Sequence, residues 1–237
     1  MKKPRYRFST ALLILFMSLI GMNTKLLAQA APEFGYAKNA ISINDRGDII
    51  EGESAIHERN LETELADRAY KPEFGVVANR DSSYYYEIGS FYSGGVVFGY
   101  VQVLAVSDQE KQLELEFFSR QLDFTPALVE IDRRREEWIQ LCNAHNAAAL
   151  INELYSENTM YYNHKPLVVG RPGLIQDYQY MNRESYSLML TPLKTEQVNE
   201  NIVLEVGQCS GSYGGKYIIV WKKSDEGKWE VFLDSNI

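Results

Sequence analysis

Six residues in the C-terminal half of the chain pair aromatic rings with groups able to hold a ligand or a proton. They are Tyr161, Asn163, Glu205, Tyr217, Trp221 and Asp234. Tyr161 and Asn163 are two positions apart, the spacing that puts both side chains on one face of a strand. Glu205, Tyr217, Trp221 and Asp234 fall in later segments that can form neighbouring strands. Aromatic walls with a few polar groups suit a small-molecule site. The competing reading is that these aromatics simply fill a sheet-packed core. Glu205 or Asp234 beside Tyr161 would give an acid–base pair.

Other chemistries find less support. His57, His145 and His164 sit on a presumed helix, an interhelix turn and a strand end, and no pair has metal-ligand spacing. Gly207-Gln208-Cys209-Ser210-Gly211 mimics a nucleophile elbow. That motif needs a strand running into a helix, whereas this one runs into glycines and another strand, as a hairpin does. Neither a dinucleotide fingerprint nor a phosphate-binding loop is present, so no cofactor is expected. Cys142 and Cys209 are the only cysteines. They could form one disulfide in an oxidising compartment or stay buried as thiols, which behave as small hydrophobes.

The N-terminus bounds where any of this chemistry would operate. Lys2, Lys3, Arg5 and Arg7 precede an apolar run over residues 11–20, and Ala28-Gln29-Ala30 follows as a small-x-small cleavage pattern. Residues 1–30 therefore read as a signal peptide, with a periplasmic or extracellular product. An uncleaved anchor is the alternative, but the run is short of the roughly 20 apolar residues that a spanning helix needs. Residues 1–30 hold five basic and no acidic residues, so cleavage takes the net charge from −8 to −13. Such a surface disfavours nucleic acid and anionic lipid as partners.

The elements that must position these residues emerge from an internal repeat. Glu87-Ile88-Gly89 parallels Glu205-Val206-Gly207, Gly52 parallels Gly170, and Ile56 parallels Leu174, all at the same offset. Asn39-x4-Asn44 parallels Asn158-x4-Asn163, and Ser107-Asp108-x-x-Lys111 parallels Ser224-Asp225-x-x-Lys228, within one residue of that offset. A constant offset over matches in one order marks a repeated unit of domain size. In the second copy, Thr125-Pro126 predicts a helix start with Leu128, Ile131, Trp138, Leu141 and Cys142 on one face. Asn146 caps a second helix, and a strand follows over residues 158–164. Gly170 and Pro172 open a third helix. Strands are predicted over 201–210, 216–223 and 228–234, with a further one near 187–198. The first copy has an opening strand at 40–44, a helix at 54–66, and strands near 74–78, 84–91, 95–106 and 111–120. The counterpart of its helix pair falls on the leader, so the predicted boundaries are 1–30, 31–120 and 121–237.

This order is an α+β plan, a curved antiparallel sheet with helices on one face. The segment from about Ile131 onward resembles an NTF2-like domain of the SnoaL-like or DUF4440 kind. The resemblance is carried by residues 146–155, by Gly170-x-x-x-Leu174, and by Tyr217-Ile-Ile-Val-Trp221 with Gly227-Lys-Trp229 and Asp234. It implies a tandem repeat whose first copy lacks its opening helices. Ketosteroid isomerases, of the same fold class, place a catalytic Asp at the end of the opening strand. Here that position is Asn163, or Asn44 in the first copy, and a carboxamide cannot act as a general base. The family's oxyanion-binding Tyr falls near Trp138 and Ile139. The preferred expectation is an exported protein that binds a small molecule or partner protein without turnover. The alternative is a SnoaL-like enzyme using Glu205 or Asp234 with a tyrosine. Because such domains commonly pair through their sheets, the resemblance also implies an intramolecular pseudo-dimer or a homodimer. The second copy is expected to cover the sheet face left bare by the missing helices, since leaving apolar surface wet costs about 25 cal/mol per Å².

Overall fold

A computed structural model describes residues 34–107, 110–164 and 166–237. The predicted leader, residues 1–30, lies outside them. The first half contains strands β1 (Phe34–Asn44), β2 (Ile49–Glu51), β3 (Ala69–Val77), β4 (Tyr84–Ser93), β5 (Val96–Val106) and β6 (Lys111–Arg120), with helix α1 (Glu53–Glu62) between β2 and β3. Helices α2 (Leu128–Asn143) and α3 (Ala147–Leu154) then precede the second set. This set comprises β7 (Tyr155–Tyr162), β8 (Val168–Val169), β9 (Leu188–Asn199), β10 (Ile202–Gly211), β11 (Lys216–Lys223) and β12 (Trp229–Asn236), with α4 (Arg171–Asp177) between β8 and β9.

The two sheets have one topology. The first runs β2-β1-β6-β5-β4-β3 and the second β8-β7-β12-β11-β10-β9. In each, the opening strand lies parallel to the closing one and the other pairings are antiparallel. The fold is α+β, two modules of one topology in tandem, and among the described residues only the second has the helix pair.

Local chemistry explains where the helices begin. Gly52 and Gly170 cap α1 and α4 with φ of 94° and 87°, a backbone region that glycine enters without penalty. Each glycine N–H donates back to the opening strand, Gly52 to Ala40 at 2.8 Å and Gly170 to Thr159 at 2.7 Å. Asn146 caps α3, its side-chain oxygen accepting from the Ala149 N–H at 2.9 Å. Helix α2 departs from expectation. Its cap is Ala127, two residues beyond Thr125, and has no side-chain cap bond. The Ala127 N–H donates instead to Gln197 on β9 at 2.8 Å, so a tertiary acceptor sets the helix start.

Two apolar layers follow from strand alternation. One lies between the sheets, where Tyr86, Ile88, Val101, Val103 and Phe117 meet Leu204, Val206, Ile218, Val220 and Phe232. The other lies between the second sheet and its helices, built on Trp138, Leu150, Ile151, Tyr155, Leu174, Tyr178 and Trp221. The second sheet therefore meets the face of the first sheet opposite to the one predicted. Ile88 and Val101 face the second module, whereas Glu87, Phe91, Tyr100 and Phe118 point the other way. A smaller cluster of Leu65, Phe91, Phe98, Tyr100 and Phe118 lies on that other face. Polar contacts close the seam, including Tyr162 Oη to Glu114 at 2.6 Å and Asn199 Nδ2 to Ser119 Oγ at 2.9 Å.

Candidate functional site

Strand register puts the predicted residues on the helix-covered face of the second sheet. Glu205 pairs with Ile219, Ile219 with Asp234, and Asp234 with Tyr161, so these four form one row across β10, β11, β12 and β7. With one residue between them in the row, the backbone positions of Glu205 and Asp234 stand about 10 Å apart at ordinary strand spacing. Each gathers its own donors.

Glu205 is fully buried. Arg135 of α2 grips it with two bonds, Nε to Oε1 at 2.7 Å and Nη2 to Oε2 at 2.6 Å, the fork geometry that makes arginine–carboxylate pairs strong. Tyr217 Oη donates to Oε1 at 2.7 Å, and Trp221 Nε1 to Oε2 at 3.3 Å. Gly207 makes this possible. A Cβ there would lie 2.1 Å from the Tyr217 ring, so the bare glycine lets the ring cross β10 to reach Glu205.

Asp234 is also buried and accepts from Tyr155 Oη at 2.7 Å and Tyr178 Oη at 2.6 Å, both on Oδ2. Trp138 Nε1 donates to Tyr155 Oη at 2.8 Å, which extends the chain onto α2. Burial raises the Asp234 carboxyl to about 6 even though both tyrosines favour its charged form. Tyr161 donates to Asn236 at 2.7 Å, and Asn163 Nδ2 donates to Tyr161 Oη at 3.1 Å.

The structure thus brings Glu205, Tyr217 and Trp221 together and joins Tyr161 to Asn163. Asp234 forms a separate centre. All six are buried or half-buried, and helix side chains pack the space above them. A cleft of about 810 Å³ lies elsewhere, lined by Val77, Asn79, Arg80, Tyr213, Gly215 and Lys216 among others. Cys142 and Cys209 are buried free thiols, each pushed up to about 12 by burial, which makes them poor nucleophiles. Among the described residues no group of His, Cys, Asp and Glu could hold a metal ion.

Sequence reasoning missed Arg135, Tyr155 and Tyr178. Arg135 left a signal, because it interrupts the apolar stripe of α2 between Ile131 and Trp138. A second omission lies in the first sheet, where the same row reads Glu87, Gln102, Glu116 and Ser42. Tyr100 Oη donates to Glu87 at 2.7 Å as Tyr217 does to Glu205. Glu116 is held by Arg68 Nη1 at 2.8 Å and Ser42 Oγ at 2.6 Å.

Comparison with known proteins gives likeness at the level of structure. An NTF2-like protein of unknown function from Shewanella oneidensis is 14% identical over 46% of this chain and 96% of its own, with a TM-score of 0.41. A ketosteroid isomerase-like protein from Erwinia carotovora is 15% identical over 47% of this chain and 95% of its own, with a TM-score of 0.40. A domain of unknown function with a cystatin-like fold from Nostoc punctiforme is 15% identical over 47% and 77%, also with a TM-score of 0.40. No protein-family model and no curated protein matches the sequence. None of these likenesses assigns a reaction to the chain.

Proposed function

We propose that the protein is an exported, non-catalytic binding protein in which the second module is a packed scaffold and the first carries the binding face. The observation that supports this is the saturation of Glu205. Three side chains hold its two oxygens, and α2 lies across it. A general base needs a free lone pair within reach of substrate, and Glu205 has neither the lone pair nor the access. Asn163 at the position of the family's base points the same way.

Two measurements test the proposal. Intact-mass analysis of the exported protein should show cleavage after Ala30, and a mass that retains residues 1–30 would remove the export reading. The purified protein should show no ketosteroid-type proton exchange and should carry a bound molecule or partner when isolated from its source. Exchange above the buffer rate would overturn the non-catalytic assignment.

One observation favours the enzymatic reading. Asp234 titrates near 6 and receives two tyrosine hydroxyls, an arrangement that suits acid–base work near neutrality. On that reading, exchange activity would rise through pH 6 and vanish in Asp234→Asn.

A further inference from the structure

Each module contributes one turn to a shared cleft, and each turn is held by its own side chains. In the first module Asn79 closes the β3–β4 loop, its Nδ2 donating to Ser83 Oγ at 3.1 Å and its Oδ1 accepting from the Tyr84 N–H at 3.2 Å. In the second, Gln208 anchors the β10–β11 hairpin by donating to the carbonyls of Gly214 at 3.0 Å and Gly215 at 2.8 Å. Tyr213 lies across Gly215, where a Cβ would collide with its hydroxyl, and donates to the Ile237 carbonyl at 2.9 Å. The cleft that these two turns border has a volume of about 810 Å³, a size that suits a small-molecule site.

The lining divides into an apolar wall and two cations. Val76, Ala78 and Ile237 line the cleft and also belong to the apolar layer between the sheets, so the cleft continues that layer to the surface. Val77, 42% exposed, and Tyr213 extend the wall. Arg80 and Lys216, one from each module, are the charged side chains of the lining. In a chain of net charge −8 this is a local excess of positive charge. Among the described residues neither cation forms an ion pair. Asp81, beside Arg80, is turned to Ser83 instead, accepting from its N–H at 3.1 Å and its Oγ at 2.6 Å. Lys216 Nζ donates to Gln208 Oε1, which leaves the ammonium two further N–H groups.

We propose that this cleft binds an amphipathic carboxylate, a free small molecule with one anionic head and an aliphatic body. Arg80 and Lys216 supply the charge that meets the head, Arg80 as a planar fork and Lys216 as a point charge. Val77, Ala78 and Tyr213 cover the body. A purely polar anion would leave the apolar wall wet, and a neutral or cationic molecule would leave both cations unanswered. Because the cleft draws on both modules, the ligand bridges them and stabilises the folded chain by mass action. The site stands apart from the outer face of the first module and does not rest on a binding role for that face.

The test titrates the purified protein with octanoate, octanamide, octylammonium and acetate, read by calorimetry and by the amide NMR signals of Gly214 and Gly215. Octanoate should bind, move both signals and raise the unfolding temperature. Octanamide lacks the charge and acetate lacks the body, so each should bind roughly tenfold more weakly or worse. Octylammonium should not bind. Arg80→Gln and Lys216→Gln should each weaken octanoate binding roughly tenfold, in line with the loss of a charge-assisted bond. Arg80 is exposed, and among the described residues its side chain makes no hydrogen bond, so Arg80→Gln should fold as the wild type does. Arg46→Gln removes a cation outside this cleft and should leave octanoate binding unchanged. Absence of octanoate binding, binding of octanamide or acetate as tight as octanoate, or binding unchanged in both cleft variants overturns the assignment. An equal loss in Arg46→Gln would also overturn it, because that would mark attraction to the overall charge of the surface.

Discussion

Tyr217 reaches across Gly207 to donate to Glu205, the residue two positions earlier on the same strand. The contact gives the Glu-x-Gly repeat a physical meaning. The glycine clears the path, the glutamate accepts the hydroxyl, and a tyrosine on the next strand spans the two. Tyr100, Gly89 and Glu87 repeat the arrangement in the first sheet.

Gly207→Ala should therefore be damaging despite its size. The new Cβ would sit 2.1 Å from the Tyr217 ring, packed in the core, so the ring must leave and Glu205 loses a donor. A loss of about 3 kcal/mol is expected from overpacking and a broken buried bond. Gly214→Ala is the control, since nothing lies within 4 Å of its Cβ. Urea unfolding of both variants tests the contrast, and equal stabilities would refute the crossing-ring account.

Arg135→Met should cost about 3–5 kcal/mol, because it strands the Glu205 charge in the core. The double variant Arg135→Met/Glu205→Leu should recover most of that loss, since apolar replacements of a buried pair are often neutral. A double-mutant cycle by thermal unfolding reads the coupling. Additive losses would mean that the two residues act independently.

Much of this architecture was legible in the sequence. Gly52 and Gly170, Asn146, and the hairpin turns at 211–215 and 225–227 announce helix starts and strand reversals, and the repeat offset aligned them. The face on which the modules meet was not legible. In β4 and β5 both faces are apolar, with Ile88 and Val101 on one side and Phe91 and Tyr100 on the other, so alternation cannot choose between them. The partners of Glu205 and Asp234 were hidden for a different reason. Arg135, Tyr155 and Tyr178 come from three helical or strand-edge positions whose convergence depends on how α2, α3 and α4 cross the sheet. The Thr125-Pro126 start failed because Gln197, remote in sequence, supplies the acceptor.

Asp234 makes stability depend on pH in a defined window. Burial raises its folded carboxyl from the ordinary 3.8 to about 6. Between these values the folded state binds more protons than the unfolded one, so this group's contribution to stability falls as pH rises through the interval. The deficit levels off above pH 6 at about 3 kcal/mol. Asp234→Asn removes the titration, so wild type should lose about that much relative to the variant between pH 4 and 7. Parallel stability curves for the two proteins would show that Asp234 is not raised.

Separating the modules should expose what joins them. Leu204, Val206, Ile218, Val220 and Phe232 of the second sheet are buried against the first. Phe117 and Phe232 meet edge-on with ring centroids 6.0 Å apart. Residues 121–237 keep their helix-covered core, built on Trp138, Leu150, Tyr178 and Trp221, so this fragment should fold alone. Its outer face would then be a contiguous apolar patch of the kind that drives association. We expect the fragment to sediment as a dimer, and Val220→Lys, which puts a charge in that patch, to return it to a monomer. Residues 31–120 lack the helix-covered core and lose the same partner face, so they should be unfolded or aggregated. A monomeric, soluble 121–237 fragment with native-like cooperativity would show that the intersheet layer is dispensable to the second module. A soluble, cooperatively unfolding 31–120 fragment would show the same for the first.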